Sequence, residues 1–154
     1  MTIEPGKRAP SLTGTTTDGS TLKLASLKGR WVVVYFYPKD NTPTCTTQAQ
    51  SFRDLHAEFV ARGAVVIGVS RDTARVHAGF TAKQELPFTL VADTDETWCK
   101  AFDVIHEKVL YGRRYLGVVR STFLIGPDGK IAKAWRNVRV PGHAAEVLGS
   151  IPRA

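Results

Sequence analysis

The chain has 154 residues, 43% of them hydrophobic and 23% charged, which is enough for one compact domain, read here as residues 1–154. That hydrophobic share excludes a disordered chain, and 13 Gly and 8 Pro without a period exclude a collagenous or low-complexity one. The formal charge is +7 at pH 7, and it is unevenly spread. Residues 1–103 carry 12 basic and 11 acidic side chains, whereas residues 104–154 carry 9 and 3, so the C-terminal third holds a net +6. No run of five or six like charges occurs, and no nucleic-acid motif accompanies the excess, so it reads as a solvated basic face. No apolar run reaches the roughly 18 residues of a membrane helix. The start, MTIEPGKRAPSL, lacks the apolar stretch of a signal peptide, and the expectation is a cytoplasmic protein. Two cysteines do not make a disulfide scaffold.

In chain order, TGTTTDGST over 13–21 is polar around an Asp18-Gly19 turn and predicts an N-terminal hairpin. WVVVYFY over 31–37 is continuous, β-branched and aromatic, as a strand covered on both faces should be. From 44 to 62 the period turns helical, with Ala49, Phe52, Leu55 and Phe59 on one stripe and Gly63 as the stop. AVVIGVS over 64–70 predicts a second buried strand, 73–84 a helix, 88–92 a short strand and 93–102 a short helix with acids in its first turn. Segments 118–125 and 130–135 flank Gly126-Pro127-Asp128-Gly129 and read as a hairpin, and 142–151 as a closing helix. Strands that alternate with helices and then pair antiparallel give an α/β protein, a mixed sheet with helices on both faces.

The chemistry concentrates in YFYPKDNTPTCTTQAQSFR, residues 35–53. A buried strand stops at Pro38, and a helix starts near Thr42, with Thr42 suited to cap it and Pro43 to open it. Cys45 then falls in the first turn, where free backbone N–H groups and the positive end of the helix dipole stabilise a thiolate. Cys45 also shares a stripe with Ala49 and Phe52, so spacing alone leaves a reactive thiol and a small buried hydrophobe equally open. In VVRSTFLI, alternation puts Arg120, Thr122 and Leu124 on one face, and an arginine on a partly apolar face needs a partner or solvent.

The segment YFYP-x-x-x-TP-x-CT-x-QA resembles the active-site stretch of peroxiredoxins of the bacterioferritin comigratory protein (PrxQ) subfamily. GKRAPSL, DGSTLKLASLKG, VVIGVS, LPFTLVAD, RSTFLI and PDGKI resemble their counterparts in the same order, over nearly the whole chain. The resemblance implies a thioredoxin-like fold and thiol-dependent reduction of hydrogen peroxide and organic hydroperoxides, without cofactor or metal. It implies that Cys45 is the peroxidatic cysteine, attacking the peroxide and becoming a sulfenic acid. It further implies that the Thr42 hydroxyl touches thiolate and peroxide, that Pro38 shields the pocket and that Arg120 completes the site. A monomer is expected, with a hydroperoxide substrate, a thiol reductant (thioredoxin, glutaredoxin or glutathione), and neither membrane nor nucleic acid as partner.

The chain departs from that pattern at the resolving cysteine. The position five residues after Cys45 is Gln50, and 73–84 contains no cysteine. Cys99 remains, flanked by Trp98 and Phe102, either as a buried structural thiol or as an atypical resolving partner. The working expectation is a one-Cys enzyme reduced by an external thiol. A dithiol oxidoreductase would need a second sulfur in Thr42-Pro43-Thr44-Cys45, and a hydrolase would need a base among His56, His77, His106 and His143, which have no shared motif. Two distant cysteines support no zinc site. The rival from another class is a catalytically silent thioredoxin-fold binding module.

Overall fold

The computed structural model describes residues 3–153. WVVVYF forms β3 (Trp31–Phe36) at the centre of the sheet. Val33 and Tyr35 enter one core cluster and Val32, Val34 and Phe36 the other, so neither face could be polar. The chain then passes through α1 (Pro43–Ala61), β4 (Ala64–Ser70), α2 (Ala74–Gln84) and β5 (Thr89–Ala92). β3, β4 and β5 lie parallel and adjacent. Ahead of them, β1 (Thr13–Thr16) and β2 (Thr21–Lys23) form the expected hairpin, and β1 pairs antiparallel with β5. After β5 come α3 (Thr97–Ala101), β6 (Ile105–Leu110), β7 (Arg113–Val118), β8 (Ser121–Ile125), β9 (Ile131–Arg136) and α4 (His143–Gly149). The seven-stranded mixed sheet has the order β2-β1-β5-β4-β3-β8-β9, and β6 pairs with β7 as a separate ribbon.

Each face of the sheet has its own core. On one, Ala49, Phe52 and Phe59 of α1, Phe80 of α2 and Val147 of α4 pack on Val33, Tyr35, Val66 and Leu124. On the other, Trp98 and Cys99 of α3 join Phe102, Val104 and Val118 against Val34, Phe36 and Phe123. Fully burying one such side chain is worth about 1.5–3 kcal/mol.

Two expectations needed correction, and one element had no counterpart among them. The helix expected over 93–102 spans Thr97–Ala101 alone, because Glu96 is left-handed (φ 64°) and the buried Asp93 carboxylate accepts the N–H groups of Trp98 and Cys99 at 2.9 and 2.8 Å. The strand expected over 118–125 is split: Val119 N–H turns to Val104 O and Arg120 O accepts from Val138 N–H, so the ladder breaks at the arginine. The β6–β7 ribbon was not anticipated, since most of its side chains are exposed and no two-residue apolar period marks it.

Candidate active site

β3 stops before a tight loop. Tyr37 N–H still reaches Val69 O at 3.1 Å, but Pro38, half-buried, has no N–H to continue a ladder. Asn41 at φ 65° turns the chain into α1. Thr42 is the N-cap residue in extended backbone, and its carbonyl accepts Thr46 N–H at 2.9 Å. Its hydroxyl makes no cap bond and instead donates to Lys39 O at 2.8 Å, folding the loop back on itself. Pro43 opens the helix, as expected, and Cys45 lies in the first turn, where backbone N–H groups have no intrahelical acceptor.

Cys45 is 2% exposed, and the Arg120 guanidinium comes to it from the break between β7 and β8. Nη2 donates to Cys45 Sγ at 3.3 Å, while Nη1 donates to Gln48 Oε1 at 2.5 Å. Gln48 sits one turn beyond Cys45 on α1 and is buried, with its Nε2 lacking any hydrogen-bond partner. The fork of one arginine therefore aligns a sulfur and an amide side by side. It offers positive charge and N–H donors to whatever negative charge develops at Sγ. Lys108 of β6 is half-buried, and its burial together with the neighbouring Arg120 and Arg71 cations pushes its ammonium below the usual lysine range. The ribbon thus stands within the electrostatic field of this site.

Cys45, Thr42, Pro38 and Arg120 therefore share one corner of the molecule, and Cys99 does not. Cys99 lies fully buried in the core across the sheet. Burial, and then the hydrogen-bonded Asp93 carboxylate, push its thiol far above the usual range. A disulfide needs Cα atoms within about 7 Å, whereas the two cysteines belong to separate cores on opposite faces of the sheet.

Gln48 escaped the sequence reading, although its spacing of three from Cys45 could have found it. So did the pair of Asp40 and His77, whose Oδ2 and Nδ1 lie 2.6 Å apart with both side chains fully buried. Asp40, Asp72 and His77 bring ligand-type atoms within 4.8 Å of one another, but those atoms already bond one another, Ser70 Oγ or the Asp40 N–H. None of the described histidines bonds Cys45: His143 meets Thr122 Oγ1 at 2.8 Å, and His106 meets Asp103 O.

The model of the AhpC/TSA family matches residues 5–134. The chain is 45% identical to a putative peroxiredoxin bcp of Coxiella burnetii, over 98% of this chain and 100% of that one. It is 47% identical to peroxiredoxin Bcp of Bacillus subtilis, over 98% and 96%. Among solved structures, the bacterioferritin comigratory protein of Xanthomonas campestris, studied for its alkyl peroxide reduction activity, superposes with a TM-score of 0.90 at 45% identity, covering 96% of each chain. A buried cysteine in the first turn of a helix, met by an arginine from the β7–β8 break on a thioredoxin-like frame, agrees with these relationships, and the chain belongs to the AhpC/TSA family, among the Bcp/PrxQ peroxiredoxins.

Proposed function

We propose that Cys45 is the peroxidatic residue of this thiol-dependent peroxidase and that the enzyme works by a one-Cys cycle. The thiolate attacks the terminal oxygen of a hydroperoxide. The O–O bond breaks, an S–O bond forms, and the leaving alkoxide or hydroxide takes up a proton to become alcohol or water. Cys45 is left as a sulfenic acid. One external thiol displaces water from it to form a mixed disulfide, and a second thiol releases Cys45 as the thiol of the next cycle. The observation that carries this reading is the 3.3 Å contact of Arg120 Nη2 with Cys45 Sγ inside a water-poor corner. Donors already aimed at the reacting atom need no reorganisation as charge moves to the leaving oxygen. Thr42, four residues after the loop proline Pro38 and three before Cys45, supplies a hydroxyl at the mouth, and Pro38 limits access to it.

The burial of Cys99 across the sheet supports an external rather than internal resolving thiol. Two unpaired cysteines suit a reducing compartment, and we read the protein as a cytoplasmic monomer. No helix among the described residues is long and apolar enough to cross a membrane. Part of the basic excess serves packing: Arg136 stacks over Phe123 and Lys133 over Trp135, each at 5.2 Å, which supports a reading without nucleic acid.

The test is intact mass after one equivalent of hydrogen peroxide with a sulfenate trap present. A trapped adduct on wild type and on Cys99→Ser, absent from Cys45→Ser, is expected. A loss of two hydrogens that vanishes in either variant would replace the one-Cys cycle with a Cys45–Cys99 disulfide. No Cys45-dependent change would overturn the peroxidatic assignment.

A further inference from the structure

We propose that His77 is a positioning residue for the reaction: acting through Asp40, it holds loop 38–42 in the conformation that sets Thr42 and Cys45 in place. The inference rests on the reading of Cys45 as the reacting sulfur.

Asp40 lies in the middle of the loop, yet its side chain is fully buried. Its Oδ1 accepts the Tyr37 hydroxyl at 2.6 Å, its Oδ2 lies 2.6 Å from His77 Nδ1, and its backbone N–H donates to Asp72 Oδ2 at 2.8 Å. The other ring nitrogen, His77 Nε2, lies 2.9 Å from Val91 O. The imidazole therefore spans from the loop to β5, and one proton shared between Asp40 and His77 leaves every polar atom of the pair satisfied. A buried pair of this kind is weak evidence for stability, because desolvation consumes most of the attraction; its use lies in what it orients.

What it orients is the next turn of chain. Asn41, immediately after Asp40, is left-handed at φ 65°, a conformation that persists when its surroundings impose it. Thr42 follows, and its hydroxyl bond to Lys39 O closes a ring of backbone around Asp40. The platform behind His77 is itself fixed. Thr73 Oγ1 caps α2 through Val76 N–H, and at the far end Gln84 accepts from Gln50 Nε2 and Arg53 Nη1, both at 2.9 Å. α2 is thus tied to the cysteine-bearing segment at both its ends, by the buried Asp40–His77 hydrogen bond at one and by the Gln50 and Arg53 hydrogen bonds to Gln84 at the other.

Three variants and three readouts decide the matter. His77→Leu removes both ring bonds. His77→Asn keeps a donor near the Nδ1 position for Asp40, and His77→Gln keeps one near Nε2 for Val91 O. In His77→Leu, amide exchange at 38–42 should accelerate at least about tenfold with the central strands still protected. The reaction of Cys45 with hydrogen peroxide should slow by about tenfold to a hundredfold, as expected for a misplaced reacting geometry. Alkylation of Cys45 by iodoacetamide, which needs no such geometry, should stay level or rise. His77→Asn should recover peroxide reactivity to within about threefold of wild type, and His77→Gln should not. A folded His77→Leu with wild-type loop exchange and peroxide rate would overturn the proposal. If that variant does not fold, equal peroxide rates in Asn and Gln variants would overturn it instead. If wild-type Cys45 does not react with peroxide, the peroxidatic reading fails, and loop exchange alone still decides whether His77 holds the loop.

Discussion

Arg120 and Cys45 are 75 positions apart in the chain and 3.3 Å apart between Nη2 and Sγ. The same guanidinium holds Gln48 Oε1, so its plane cannot turn without losing one contact. Arg120→Met should therefore lower the rate of Cys45 with hydrogen peroxide by about 10²–10³, the usual effect of removing a donor aimed at developing charge. Arg120→Lys should fall between the two, since an ammonium keeps charge without the fork. Stopped-flow kinetics read this directly, and a Met variant within about threefold of wild type would remove Arg120 from the reaction.

Cys99 should be silent. Its burial and the adjacent Asp93 carboxylate push its ionisation well above the ordinary thiol range. Native protein should accept at most one iodoacetamide, and denatured protein two. Excess peroxide should carry Cys45 on to the sulfinic acid, because no thiol lies near enough to trap the sulfenate. A native mass showing rapid labelling of Cys99, or a disulfide that protects Cys45 from overoxidation, would contradict this.

Stability should decline on mild acidification. Burial pushes His143 and His56 below the ordinary histidine value of 6.5. In the unfolded chain these groups take up protons from about pH 6.5 downward, while the folded chain resists. The stability they contribute is thus fully present above 6.5 and is lost as pH falls toward their lower folded values. Tm measured from pH 7.5 to 5 should drop, and His143→Gln should flatten that slope. A variant with the wild-type slope would exclude His143 as a source.

The tight approach of β1 to α3 gives a fourth test. A Cβ on Gly14 would lie 2.7 Å from Val91 Cγ1 and 2.9 Å from Trp98 Nε1. Trp98 Nε1 also donates to Thr13 O at 3.1 Å, so the indole cannot retreat freely. Gly14→Ala should cost about 1–3 kcal/mol, read as a lower denaturant midpoint at unchanged slope. An unchanged midpoint would show that β1 shifts without penalty.

Local pattern revealed the frame wherever one residue type served one purpose. The run 31–37 could only be a doubly covered strand, and 64–70 coincides with β4 as Ala64–Ser70. The helix with period over 44–62 is α1, Pro43–Ala61, opening at the proline that fits the first helical position. Legibility ended where long-range contacts decide. Nothing within five residues of Asp93 announces that its carboxylate replaces a helical turn. The break at Val119–Arg120 exists because Val104 and Val138 claim its backbone groups. Of the proposed site, the cysteine, proline and threonine lie in one short motif, while Gln48 and the Asp40–His77 pair acquire meaning from partners 72 and 37 residues away.

The near-complete enclosure of Cys45, at 2% exposure, divides the two halves of turnover by the size of what must reach the sulfur. Hydrogen peroxide is little larger than water and can enter a closed corner. A thiol carried on glutathione or on a protein surface cannot bring its sulfur within bonding distance without parting the first turn of α1 from Arg120. Oxidation therefore favours the shut form and reduction the ajar one. On the one-Cys cycle proposed above, the catalytic rate at saturating reductant should therefore follow how often this corner opens.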